Sequence, residues 1–158
     1  MAIIFFVMGF CTLSFAQQIR FRVVSWNVEN LFDFRHDTLK NDYEFLPDAT
    51  RHWNYSKYRK KLDNIARVII ATGGWTPPAL VALCEVENDS VMRDLTRYSA
   101  LREADYRYVM TQSPDERGID VALLYQRNLF KLLSYQSFPV EKPVSYTHLR
   151  AHETSLHL

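Results

Sequence analysis

The chain has 158 residues, enough for one domain at most, and 47% of them are hydrophobic, so a packed core is expected. A formal net charge of +1 excludes neither an anionic nor a neutral substrate, and no basic run marks out a dedicated nucleic-acid patch. Cys11 and Cys84 are the only cysteines. Removal of the N-terminal stretch described next leaves one thiol and rules out an internal disulfide.

Residues 1–16 are apolar and carry no charged side chain, with Ile3-Ile4-Phe5-Phe6-Val7-Met8 as their centre. Small residues at Ser14 and Ala16 offer a cleavage site, so the stretch reads as a secretory signal peptide. It is shorter than the ~20 residues that cross a bilayer, so no permanent membrane anchor is expected. Secretion or a periplasmic location follows from that reading. Arg20-Phe21-Arg22-Val23-Val24-Ser25-Trp26 then predicts the first strand of the mature chain. Residues 32–53 are rich in Asp and Glu and contain Pro47, which blocks a continuous helix. They read as a long solvated loop, with a lid or substrate wall as the functional alternative.

Residues 56–71 carry the clearest helical period: Tyr58, Leu62, Ile65 and Ile69 fall on one stripe, with Lys57, Lys60, Lys61 and Asp63 off it. Gly73-Gly74 stops this helix and Pro77-Pro78 forbids its return. Leu80-Val81-Ala82-Leu83-Cys84 is an apolar run that ends abruptly in Glu85, and it predicts a strand buried on both faces. Asn88 or Asp89 can cap a short helix through Val91, Leu95 and Tyr98. Residues 106–111 and 119–125 predict two further strands around a turn at 113–118, and residues 130–138 one more.

Residues 144–158 break with what precedes them. Val144 to Thr154 resembles a translated sequencing-library adaptor, which implies that the gene's own sequence ends near Pro143. On that reading residues 17–143 are the N-terminal part of a longer domain and 144–158 are a read-through tail. His148, His152 and His157 accordingly receive no functional role.

The chemistry converges on two strand ends. Strands that leave a core at one edge of a sheet deliver polar side chains where ligands collect. Asn27 and Glu85 occupy such positions. A phosphoester gains charge on its attacking and leaving oxygens, and a hard cation with oxygen ligands neutralises that charge. Such a cation keeps several waters, so one rigidly placed carboxylate, Glu85, suffices as its anchor. Asn27 can donate a hydrogen bond to a phosphate oxygen, or its own oxygen can touch the metal. Glu29 follows two residues later, on the same side if the chain stays extended. Glu87 alternates onto the side of Glu85 if that strand continues, with a solvated position the favoured reading. Arg117 can clamp a phosphate or stand exposed in its turn. Asp120 reads as structural, and Trp26 as core.

Ser25-Trp26-Asn27-Val28-Glu29-Asn30, Leu83-Cys84-Glu85-Val86 and Arg117-Gly118-Ile119-Asp120-Val121-Ala122-Leu123-Leu124-Tyr125 together resemble the endonuclease/exonuclease/phosphatase superfamily. Cys84 stands where that family carries a glutamine. The resemblance implies a DNase I-like two-layer α/β sandwich, here partial and truncated, of two packed mixed sheets with outer helices. It implies a secreted metal-dependent phosphoester hydrolase of nuclease or phosphatase type. Asn27 and Glu85 would be catalytic, Glu85, Asn27 and Glu29 would meet Mg²⁺ (or Mn²⁺ or Ca²⁺), and Arg117 would meet substrate phosphate. Candidate substrates are nucleic acid, phospholipid head groups and small phosphorylated molecules, acted on by a monomer. The family's Gly-Asp-x-Asn motif and late Asp-His pair do not occur in this sequence, so the chain itself is expected to be inactive. A secreted, non-catalytic binding module is the alternative.

Overall fold

The stripe Tyr58, Leu62, Ile65 and Ile69 builds helix α1, Tyr55–Gly73, and all four side chains are buried. Asn54 caps its first turn by accepting from the Lys57 N–H, and Gly74 ends it in a left-handed conformation at φ 66°. A computed structural model describes residues 21–138. The signal-peptide reading, the boundary at Pro143 and the tail lie outside them. Strand β1, Val23–Leu31, precedes α1, and β2, Leu80–Val86, follows it. Helix α2, Asp89–Arg97, then leads through a short 3-10 turn to β3, Tyr106–Met110, and β4, Asp120–Gln126. No helix among the described residues is long and apolar enough to cross a membrane.

The four strands form one mixed sheet in the order β1-β2-β4-β3. β1 and β2 run parallel, as the crossover through α1 requires, while β4 runs antiparallel to both β2 and β3. The register sets Val81 beside Leu124 and Leu83 beside Ala122. These side chains are fully buried with Leu62, Ile69, Met92, Leu95 and Leu101 in a core beneath the helices. Trp26, Tyr108 and Met110 pack against that core half-buried. Each large aliphatic side chain in this layer contributes roughly 1.5–3 kcal/mol through removal from water.

Several expectations change. β2 is not buried on both faces: Val81, Leu83 and Val86 are buried, whereas Leu80, Ala82 and Cys84 are half-buried on the face away from the helices. Val23, Val121 and Leu123 are exposed on that same face. The α/β expectation holds: the described residues form one mixed four-stranded sheet with helices, consistent with a partial DNase I-like α/β fold. Residues 130–138 form no strand. β4 already has β2 on one edge and β3 on the other, so chain leaving β4 cannot pair back onto it. β1 runs on to Leu31, past the expected end at Trp26. Tyr98 of the α2 stripe is exposed beyond the helix end.

The acidic loop 32–53 is largely exposed, as expected, but a few contacts pin it to the body of the fold. Phe32 is buried and stacked on Phe45, and the Trp53 indole N–H donates to the Phe32 carbonyl at 3.0 Å. The Asn41 N–H donates to the Glu116 carbonyl, and the Lys40 ammonium reaches the Asp115 carbonyl. The loop is thereby tied to the turn before β4.

Candidate metal and phosphate site at the parallel strand ends

The regular pairing of β1 with β2 ends at Asn27 beside Cys84 and resumes at Leu31 beside Val86. Val28, Glu29 and Asn30 therefore lie opposite the single Glu85, a bulge in the parallel pair. On its other side β2 also skips Glu85, pairing Cys84 with Val121 and Val86 with Asp120. Glu29, Asn30 and Glu85 all adopt left-handed backbone, at φ 55°, 61° and 62°. Such conformations cost non-glycine residues about 1–3 kcal/mol each and persist only where surrounding bonds hold them.

Those bonds are specific. The Asn27 side-chain amide donates from Nδ2 to Glu85 Oε1 at 3.0 Å. The Asn30 backbone N–H donates to Glu85 Oε2 at 2.9 Å. Asn27 Oδ1 accepts from the Glu29 N–H at 2.8 Å, which fixes the orientation of the amide. Each Glu85 oxygen thus takes one N–H and keeps lone-pair capacity for a second partner. From α1, the Lys61 ammonium donates to the carbonyls of Glu29, at 2.5 Å, and Asn30, at 3.0 Å. Burial pushes the Lys61 ammonium below its ordinary value, while the carboxylates of Glu29 and Glu85 pull it back up. Lys61, although off the apolar stripe of α1, is thus half-buried over the bulge.

The remaining expected residues lie differently. The bulge interrupts the alternation that would have set Glu29 beside Asn27, and the Glu29 backbone carries its bonds here. Arg117 sits half-exposed in the turn before β4, with Asp115 Oδ1 3.6 Å from its Nε. Asp120 is structural, accepting at Oδ1 from the Thr111 hydroxyl and the Ser113 N–H.

Glu87 departs most from its reading. It is 7% exposed, and its Oε2 accepts from the Asp33 N–H at 2.7 Å. Burial, followed by the nearby charges of Asp33, Asp42 and Asp37, pushes its carboxyl up to about 8 against the Asp33 N–H, which pulls it down. Burial also raises Asp33. Asp42, 2% exposed, holds His36 Nδ1 at 2.5 Å and accepts from the Asp37 N–H. Glu87 and Asp120 line an open cleft of about 770 Å³ with Lys40, Asn88, Tyr108 and Ser113. A strand-end carboxylate followed by a capping Asn88 was the only sequence signal near Glu87, and it says nothing about burial.

Among the described residues no group of three or more His, Cys, Asp or Glu side chains is gathered tightly enough to hold a metal by itself. The donor chemistry at Glu85 nevertheless fits a hard cation that keeps most of its waters and takes one carboxylate.

The model of the Endonuclease/Exonuclease/phosphatase family matches residues 22–153. No curated protein and no solved structure matches the chain. The family groups nuclease- and phosphatase-type hydrolases that act on phosphoesters and generally depend on a divalent metal. Over most of its length, from the start of β1 past the end of β4, the chain belongs to the endonuclease/exonuclease/phosphatase family.

Proposed function

We propose that the chain carries the cation anchor of a metal-dependent phosphoester hydrolase, with Glu85 as the anchor and Asn27 beside it. The observation that carries this reading is the convergence of the Asn27 amide and the Asn30 N–H on the two oxygens of Glu85 at the end of the parallel strands. Mg²⁺ is the cation best suited to a single carboxylate and retained waters, with Mn²⁺ or Ca²⁺ able to use the same oxygens. When bound, it supplies charge neutralisation for a phosphoester and its attacking water.

The chain's own residues prepare that site. Two N–H donors fix the Glu85 carboxylate in one orientation, so little reorganisation is needed on binding. Asn27 turns its NH₂ group to Glu85, while its Oδ1 accepts from the Glu29 N–H and keeps a second lone pair. Its second N–H can reach a phosphate oxygen and its oxygen can still touch a metal. Glu29 would offer a second carboxylate near the bulge, and Arg117, on the turn before β4, a guanidinium for substrate phosphate. Phosphodiesters and phosphomonoesters both fit this chemistry.

The test is a Mn²⁺ titration of the chain by calorimetry. Binding should be present in the wild type and lost in Glu85→Ala, and Mg²⁺ should compete for the same site. Retention of full binding by Glu85→Ala would remove Glu85 from the anchor role. The apolar residues 1–16 support export through a cleaved leader, and mass spectrometry of the secreted product should find Gln17 at its N-terminus.

A further inference from the structure

We infer that Lys61 is a positioning residue that sets the Glu85 carboxylate through the single peptide group joining Glu29 to Asn30; the inference rests on the reading of Glu85 as the cation anchor. A trans peptide group is planar, with its C=O and N–H pointing in opposite directions. The described chain has no cis peptide bonds. The Glu29 carbonyl accepts from the Lys61 ammonium at 2.5 Å. The N–H on the other side of that same plane, belonging to Asn30, donates to Glu85 Oε2 at 2.9 Å. An ammonium on the carbonyl polarises the peptide and strengthens its N–H as a donor. The second bond, from Lys61 to the Asn30 carbonyl at 3.0 Å, fixes the next peptide group as well.

The geometry also explains how the left-handed pair at Glu29 and Asn30 persists. The bulge takes these residues out of the regular pairing with β2, and Lys61 binds both of their carbonyls. The base of Lys61 is set by the packing of its helix neighbours Tyr58, Leu62 and Ile65, which are buried. Its ammonium lies 5.7 Å from the centre of the Trp53 ring, an added attraction for the cation. Trp53 is itself held by the Phe32 carbonyl. Neighbouring Lys60 is exposed and serves as a control of the same charge.

The experiment compares the Asn30 amide resonance and the Mn²⁺ affinity of the chain in Lys61→Met, Lys61→Gln, Lys60→Met and Glu85→Gln. In metal-free Lys61→Met the Asn30 amide proton should move upfield as its hydrogen bond weakens. Mn²⁺ affinity should fall about tenfold, the usual cost of losing a group that orients a ligand. Lys61→Gln keeps one donor group and should show a smaller change in the same direction. It also decides the matter if Lys61→Met does not fold. Lys60→Met should leave both readouts unchanged. An unmoved Asn30 amide in a folded Lys61 variant overturns the inference, as does an equal shift in Lys60→Met. Unchanged Mn²⁺ affinity in Lys61→Met overturns it as well if Glu85→Gln has lost binding. If Glu85→Gln binds Mn²⁺ like the wild type, the anchor reading fails instead, and the Asn30 amide alone decides whether Lys61 sets this carboxylate.

Discussion

Glu85 and Glu87 are two residues apart on one stretch of chain, yet they inhabit different chemistries. Glu85 is a left-handed kink one residue before the end of β2, skipped by both neighbouring strands and bonded through each oxygen. Glu87 lies beyond the strand, 7% exposed beneath the acidic loop, with the Asp33 N–H as its donor and acids around it. Strand alternation would have set both carboxylates on one side. The kink at Glu85 breaks that alternation. The contrast teaches that the value of a carboxylate to a cation depends on how it is oriented as well as on where it sits in the sequence.

The largest effect expected from this contrast is on cation binding. Glu85→Ala should abolish Mn²⁺ binding, while Glu87→Gln should leave it largely unchanged, since Glu87 bonds the Asp33 N–H and none of the donors that hold Glu85. Equal losses in the two variants would erase the distinction. Calorimetric titration of both measures it.

Stability against pH separates the two residues in another way. Folded Glu87 keeps its proton until about pH 8, whereas an unfolded glutamate releases it near 4.5. Between these values the folded state holds a proton that the unfolded state lacks, so stability falls as pH rises through the window. Glu87→Gln keeps an acceptor for the Asp33 N–H and removes the buried charge. It should be nearly neutral at pH 4 and stabilise the chain by roughly 1–3 kcal/mol at pH 8.5. Thermal melts of the wild type and variant at the two pH values would show it. A gain of the same size at pH 4 would place the effect in packing rather than in charge.

Asn27→Ala removes the side-chain donor to Glu85 Oε1 and leaves the Asn30 N–H in place. Mn²⁺ affinity should drop about tenfold, with a loss of about 1 kcal/mol in stability. The smallest change is expected for Asn30→Gly. Glycine accepts the left-handed conformation and keeps the N–H, so stability should stay within about 0.5 kcal/mol and Mn²⁺ affinity should not change. A large loss of affinity there would mean that the Asn30 side chain, rather than its backbone, holds Glu85.

Much of the framework was legible in the sequence. The stripe from Tyr58 to Ile69 and the stop at Gly73-Gly74 are local signals, and α1 follows them within two residues. The abrupt end of the apolar run at Glu85 and the polar break at Asn27 marked the place where the regular pairing of β1 with β2 is interrupted. What was not legible depends on partners distant along the chain. Residues 130–138 carry strand-like composition but form no strand, since strand-like composition alone does not bring a segment to the open edge of β1 or β3. The acidic loop looked solvated because its composition is polar. It is mostly exposed, and what the composition did not show is its anchoring by Phe32, Phe45 and Trp53 against one another and by bonds to the turn at 113–118.

The sequence by itself determined the order of strands and helices and the family, because hydrophobic period, caps and strand-end motifs are written within short windows. Only the tertiary structure decided that three residues of β1 bulge against Glu85, that Lys61 turns inward to their carbonyls, and that Glu87 is buried. The physical reason is that a carboxylate's orientation, exposure and proton affinity arise from donors and charges brought together from across the fold. Two glutamates separated by one valine therefore acquire opposite environments.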